Sequence, residues 1–466
     1  MRTIQRNKIH YKTVYYSTKK FNFIMSKRSE WSDAEIEKNA RNRMNTFVKL
    51  LKFGGIWDMR KSRLFGVFSS LYNKILIFWC GLHGFTVYAS LCESRNNFDD
   101  FVEVMPLCIS MTIFYLKLYA FIFRRNEIED IIQKVRENFF IHGNGLTSEN
   151  KTIIMSTIKQ GKKFTIIYLS WNGFVNVFYG VVSPLLAPVP EMANGTDAIY
   201  ELPMKIWTPL DLSVSPNYEI VSVYVSLTCI VIGFNFFLTE LFIMVLIIYC
   251  TGQFELLCDS LSKASTNVKR KLLQEESKSD TLLKIGEIEG EQEVKMEENM
   301  SSTLSTKLMH SETEKYLMDC IRHHQSLIEF AARVEDLWKT YFFAQFLTAS
   351  FLICFLGYKS MTMDMDVNLL KNMGYLGSVI FQLALQCLFG SNLMTESSAV
   401  YDAVYSSDWY NQSNKYKFCS RMMIMRAQKP VQIRAGRFGI MSLPLFASMM
   451  RSSYSYLALL KQMQEE

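Results

Sequence analysis

Lys117, Glu240 and Arg451 each lie inside a long apolar stretch, and ionisable groups in such places are the residues of this chain with most to offer chemically. A charge in hydrocarbon is costly, so it marks a partner or a path. Lys117 and Glu240 are both expected in the inner half of their stretches, where an ion pair would offset the cost of burying each. The alternative is a lysine stem lying along apolar neighbours while its ammonium reaches the interface. Arg451 stands beside Ser452, Ser453 and Ser455. A helix so polar is expected to face water or protein rather than lipid, and if it faces water it lines a conduit.

Other constellations fail on geometry. His323 and His324 are adjacent and so about 100° apart on a helix. Asp319 and Cys320 stack one turn back under different histidines, so no single metal shell closes. The chain has no glycine-rich phosphate loop, no nucleophile elbow and no H-E-x-x-H, so neither an enzyme nor a cofactor or metal is expected. Most of the ten cysteines fall in apolar stretches (among them Cys80, Cys108, Cys229, Cys354 and Cys387) and none forms a C-x-x-C. They read as small buried apolar side chains.

The elements that carry these residues set the class. A bilayer core needs about 20 mostly apolar helical residues, and such stretches occur near 70–92, 100–123, 163–187, 219–250, 339–360, 370–393 and 436–460. The expected fold is an all-α membrane protein with seven transmembrane helices. A mean hydropathy of only +0.06 reflects dilution by the polar segment 263–312, rich in Lys, Glu, Ser and Met, which reads as a disordered insert. Basic residues cluster before the first span (Lys52, Arg60, Lys61, Arg63), after the second (Arg124, Arg125, Lys134, Arg136), after the fourth (Lys263, Lys269, Arg270, Lys271) and after the sixth (Lys415, Lys417, Arg421, Arg426). Loop 188–218 holds only Lys205 against four acidic residues, Glu191, Asp197, Glu201 and Asp211. The excess of positive charge on the cytoplasmic side then puts the N-terminus inside and the C-terminus outside. The sequon Asn194-Gly195-Thr196 falls in the non-basic loop, where glycosylation of Asn194 requires an outside location.

The expected layout is a cytoplasmic N-terminus over 1–69, helices one to four over 70–250, a cytoplasmic loop 251–338 containing the insert, helices five to seven over 339–460, and an extracellular tail 461–466. The first 25 residues are basic and polar, and no cleavable signal peptide is expected. The net charge of +7 lies in the inward loops, so it reads as contact with anionic membrane lipid, not nucleic acid. In 313–338 the residues Tyr316, Leu317, Cys320, Ile321, Leu327, Ile328, Phe330, Ala331 and Val334 recur at helical spacing. Spans two, four, five and six are therefore expected to run on as helices beyond the bilayer, with amphipathic faces that need partners. A G-protein-coupled receptor reading fails: its orientation is the opposite one, and no cysteine lies in 188–218 for the usual disulfide.

The C-terminal residues carry a resemblance. Ala403-Val404-Tyr405 followed by Trp409, then Lys429-Pro430, Ala435-Gly436-x-Phe438, Ser442-Leu443-x-x-Phe446 and Ser453-Tyr454-Ser455-Tyr456-Leu457-x-x-Leu460 resemble the signature of insect odorant receptors, as does the run from Phe47 to Trp57. The resemblance covers roughly 40–460, apart from the insert. It implies an odorant-gated, non-selective cation channel in the plasma membrane, assembled as a hetero-tetramer with a co-receptor subunit and responding to small volatile odorants. It also implies that the last helix lines the pore, with Leu459, Gln462 and Met463 at the gate. Relative to Leu459, Met463 lies about 40° one way and Gln462 about 60° the other, with Arg451 about 80° from Leu459. The ligand site is implied in the outer half of spans two, three, four and six, with Met105, Ile109, Trp171, Phe174, Phe178, Tyr224 and Tyr375 as candidate linings. A gustatory-type receptor of the same inverted topology is the alternative; Tyr456 and Gln462 match its final-helix pattern, whereas Ser455 and Met463 replace its Thr and Phe.

Overall fold

Leu241 to Cys250 is an unbroken apolar run, and a helix apolar all round belongs inside a bundle. A computed structural model of the chain places it there, with every side chain from Leu238 to Cys250 buried. The structure describes residues 32–57, 63–137, 147–182, 185, 202, 204–212, 214–283, 294–363, 365, 367–437 and 439–465. Its helices are α1 (Asp33–Asn42), α2 (Asn45–Phe53), α3 (Arg63–Glu93), α4 (Phe98–Phe123), α5 (Arg125–Glu137), α6 (Ser148–Val177), α7 (Asn217–Ser262), α8 (Ala264–Leu283), α9 (Val294–Thr362), α10 (Val367–Tyr405), α11 (Asn414–Ala427) and α12 (Leu443–Glu465). Among the described residues the regular elements are helical, and the β pairing is one isolated antiparallel bridge, Arg434 to Ile440.

The chain is a multi-pass membrane protein. α3, α4, α6, α7, α9 and α10 are each long and apolar enough to cross a bilayer. α7 is the central pillar, packed by α6, α9 and α10, and α12 rests on α9 and α10. The helices extend past their apolar stretches as expected: α7 runs to Ser262, α9 begins at Val294 and α10 ends at Tyr405. Span two ends at Phe123, and the amphipathic α5 restarts after a break at Arg124. In α9, Tyr316, Leu317, Cys320, Leu327, Phe330, Ala331 and Val334 join the main core, so the helical spacing in 313–338 is a packing face. The end of the bundle at the turn Ser94–Asn96 between α3 and α4 is called outer below.

Two expectations are corrected. The last span was drawn from residue 436, but the helix begins at Leu443. Before it, Ile433 to Met441 folds back on itself, with Ala435 N donating to Gly439 O at 2.9 Å and Met441 N to Ile433 O at 2.9 Å. Gly436 takes φ of +55° at the turn, a conformation that excludes helix. The segment 263–312, read as a disordered insert, is helical over Ala264–Leu283 and from Val294. Ala264, Val268 and Leu272 form a one-face stripe on the main core, and Asn267 Nδ2 donates to Tyr316 OH at 3.2 Å. That stripe is too short to register beside so many charges.

The part of the N-terminal region that is described, 32–57, is built onto the bundle. Ser32 caps α1, accepting from Glu35 N at 3.2 Å. Ile36 and Ala40 pack on Ile154, Met155 and Ile158 of α6. Phe47, Leu51 and Trp57 enter the main core, and the Arg125 guanidinium lies 4.9 Å over the Trp57 ring. The sequon at Asn194 lies outside the described residues.

Candidate functional site

Met105, Ile109 and Ser110 sit within two turns of one another on α4. Tyr375 of α10 crosses to that helix. Its hydroxyl donates to Pro106 O at 3.2 Å and bonds the Ser110 hydroxyl. Tyr179, just past α6, meets the Tyr375 ring edge-on at 6.5 Å, and Lys371 stands 5.0 Å over the Tyr179 ring. Nearly two turns deeper in α10, Phe381 packs on Trp171 at 5.8 Å and on Tyr168 at 6.5 Å. Ile109 and Tyr375 both pack against the main core. This outer seam between α4, α6 and α10 is apolar with few polar groups, the composition that suits a small-molecule site.

The structure does not bring all seven candidate linings together. Phe174 is 66% exposed and stacks on Phe178 at 6.3 Å. It continues the outward stripe of α6 through Ile166, Ile167 and Trp171, whereas Thr165, Tyr168 and Asn172 face inward. Phe174 therefore lies on the exposed side of α6. Tyr224 belongs to a separate cluster on the α3 side of α7, beside Trp79 at 5.3 Å and His83 at 6.3 Å. Sequence reasoning missed Tyr179, Phe381 and Ser110. Tyr179 and Phe381 had the same aromatic signal as the residues chosen, and Ser110 had none.

Below the seam is a fully buried polar node. Lys117 of α4 and Glu240 of α7 pair at 3.3 Å with both side chains at 0% exposure. This bears out the expected ion pair and excludes the lysine reaching the interface. Lys117 Nζ also donates to Phe236 O at 3.0 Å and lies 3.5 Å over the Phe236 ring. Tyr341 of α9 donates its hydroxyl to Glu240 Oε2, and Gln386 Nε2 of α10 donates to Glu240 Oε1. Gln386 Nε2 lies 2.8 Å from Tyr341 OH as well. One carboxylate thus ties α4, α9 and α10 to α7. Tyr341 and Gln386 were not singled out from the sequence, because a neutral polar residue in a span carries little signal of its own.

α12 has a divided surface. Met449 and Ser453 are buried, Cys354 Sγ of α9 donates to Ser453 O at 3.6 Å, and Leu457 packs over Gly357. Arg451, Ser452, Tyr454, Ser455, Tyr456, Leu459 and Gln462 are exposed. The Ser455 hydroxyl folds back onto Arg451 O at 3.0 Å. Met463 lies in the helix, and its side chain is outside the described residues. His323 and His324 are both buried in α9, His324 edge-on to Phe254 at 6.1 Å, which is a packing arrangement.

Similarity to known proteins follows the same lines. The family model described as 7tm Odorant receptor matches residues 97–454. Odorant receptor 67c of Drosophila melanogaster is 30% identical over 150 residues, 32% of this chain and 37% of that protein. The odorant receptor coreceptor of Drosophila melanogaster is 28% identical over 144 residues, 31% of this chain and 30% of that one. The chain thus spans 37% and 30% of the lengths of these curated relatives. The solved structure of the insect olfactory receptor OR5 from Machilis hrabei, in complex with eugenol, superposes with a TM-score of 0.72 at 16% identity, covering 92% of this chain and 99% of that one.

Proposed function

The chain belongs to the 7tm odorant receptor family, and from that premise we propose that it is an odour-tuned subunit of a ligand-gated, non-selective cation channel in the plasma membrane. The observation that carries the reading is α12. It presents a broad exposed face containing Arg451, Ser455 and Gln462 while its other face is fixed to α9. Such a helix fits a position between lipid-facing helices and a water-filled passage shared by several subunits. Leu459, Gln462 and Met463 are the proposed gate residues. The partner is a co-receptor subunit in a hetero-tetramer; relatives of that name align with this chain at 28% identity. The N-terminus is placed in the cytoplasm and the C-terminus outside, on the distribution of Lys and Arg.

The proposed ligand space is the outer seam: Met105 and Ile109 on α4, Tyr179 after α6, and Tyr375 and Phe381 on α10, with Trp171 at its edge. OR5 of Machilis hrabei is described in complex with eugenol, a small aromatic with few polar groups, and a ligand of that kind suits this seam. Dispersion and desolvation suffice to bind such a molecule weakly and broadly. Filling the seam separates the outer halves of α4 and α10, and α12, seated on α9 and α10, moves outward to widen the gate. The test is to express the chain with and without a co-receptor and to record odour-evoked current over a broad panel of volatiles. Inward cation current only in the pair is the expected result. No current from any panel member, with both subunits at the cell surface, overturns the reading.

A further inference from the structure

Tyr375 at the outer seam and Gln386 at the node lie on one line of α10. They are eleven residues apart, which brings them within about 20° of each other around the helix and about 16 Å along it. Gln382 lies between them within about 20° of the same line. On α4, Ser110 and Lys117 are seven residues apart and again share a face. The seam where a ligand is proposed to enter therefore lies above the node, along the lines of α4 and α10 that Glu240 of α7 ties together below. α9 carries Tyr341 on one side, and thirteen and sixteen residues later Cys354 and Gly357 face α12 on a nearly opposite side. The N-terminal end of α12 is tied to α10 too, Leu443 N donating to Ser391 Oγ at 2.8 Å. Any shift of α12 that carries α9 or α10 with it pulls on Glu240.

The node also has somewhere to go. Gln386 Oε1, Gln382 Nε2, Gln345 Oε1 and Tyr168 OH are buried without a hydrogen-bond partner. Gln382 is one turn from Gln386 and Gln345 one turn from Tyr341, close enough for side chains to meet. Unsatisfied buried polar atoms are costly, and beside a satisfied carboxylate they supply a second set of partners. A polar network with two ways of pairing is the kind of discrete element through which packed helices switch.

Resting on the channel reading above, we propose that Glu240 is a positioning residue for gating. Its carboxylate holds the inner halves of α4, α7, α9 and α10 together in the shut arrangement. Opening requires Tyr341 and Gln386 to exchange Glu240 for the spare polar atoms nearby. The node acts on the equilibrium between shut and open, and touches neither ligand nor ion.

The experiment uses the full chain co-expressed with a co-receptor. Current without odorant is measured as a fraction of the maximal odour-evoked current, together with the half-maximal odorant concentration and surface delivery. Lys117→Met combined with Glu240→Gln removes both charges, so that neither is left buried alone. Tyr341→Phe removes one hydroxyl and nothing else. Each is expected to raise the odour-free fraction several-fold and to lower the half-maximal concentration in step, the double variant more than Tyr341→Phe, because one shifted equilibrium controls both readouts. A node that only holds the fold together would lower surface delivery and leave both ratios unchanged. Delivered Tyr341→Phe with wild-type ratios overturns the proposal, as does a Tyr341→Phe that never reaches the surface. Wild-type chain giving no odour current sinks the channel reading itself, whereas normal wild-type current with unaltered variants sinks only the node.

Discussion

Tyr375 earns its place through its hydroxyl as much as its ring. The bonds to Pro106 O and Ser110 fix the ring between α4 and α10, so the wall it presents is set before any ligand arrives. Tyr375→Phe keeps the apolar surface and loses that anchoring. At about 1 kcal/mol for the lost hydrogen bonding, the half-maximal odorant concentration is expected to rise about fivefold. Ser110→Ala should shift it less, since Pro106 O still holds the hydroxyl, and adding it to Tyr375→Phe should change nothing more. Dose–response curves for the four combinations decide this; additive shifts would show that the two residues act separately. At this scale the sequence was legible where burial is expensive. Lys117 and Glu240 announced each other because neither charge can stay alone in hydrocarbon. The side of α6 on which Phe174 lies was not legible for the converse reason: in a bilayer the outside is as apolar as the inside, so aromatic periodicity does not distinguish a lipid face from a pocket face.

Among the elements, the hairpin before α12 sets where that helix starts and how it leans. Gly436 adopts φ of +55°, and a Cβ there would collide with the Phe343 ring. Gly390 of α10 is overlain by Met441 O, with no room for a methyl group. Gly436→Ala is expected to destabilise the purified protein by about 1–2 kcal/mol from backbone conformation alone, with the Phe343 clash added. Gly81→Ala, in α3 with open space around the new methyl, should be neutral or slightly stabilising. Thermal unfolding in detergent compares them, and equal melting temperatures would count against the hairpin as a fixed hinge. The exposed face of α12 makes a separate prediction. Gln462→Lys puts a positive charge at the proposed gate and should reduce cation current per channel by severalfold. Arg451→Ala, on the same side of α12 as Gln462 but about 16 Å back along the helix from it, should leave single-channel current unchanged. A large change in the second and none in the first would mean that the narrow point lies near Arg451 and not near Gln462. The start of this helix was misread because Gly436, Phe438 and Gly439 are apolar by composition, and hydropathy alone does not register a turn made by glycines at positive φ.

For the whole molecule, the bundle was legible from the spacing of apolar stretches, and six of them became helices able to cross a bilayer. What the pattern could not supply was α8, where three small or branched residues four apart hold a highly charged helix on the core. Sidedness rests on a different signal, the Lys and Arg at the ends of the spans. Arg124, Arg125 and Lys134 lie at one end of the bundle, with Arg124 bonded to Asp336 at 2.7 Å and Lys134 to Glu329 at 3.4 Å. The outer end around Ser94–Asn96 carries basic residues singly, Arg95 in the turn, Lys205 on Asp100 and Lys359 on Glu103, against the cluster of Arg124, Arg125 and Lys134. Because translocating such clusters is disfavoured, an epitope fused after Glu466 should be labelled by antibody on intact cells. One fused ahead of α1 should be labelled only after permeabilisation. An epitope in the Ser94–Asn96 turn should behave like the first. A C-terminal epitope hidden on intact cells that display the turn epitope would leave α12 without a crossing and remove it from any pore. The reverse pattern at both ends would invert the bundle and with it the side of the membrane on which the proposed ligand seam lies.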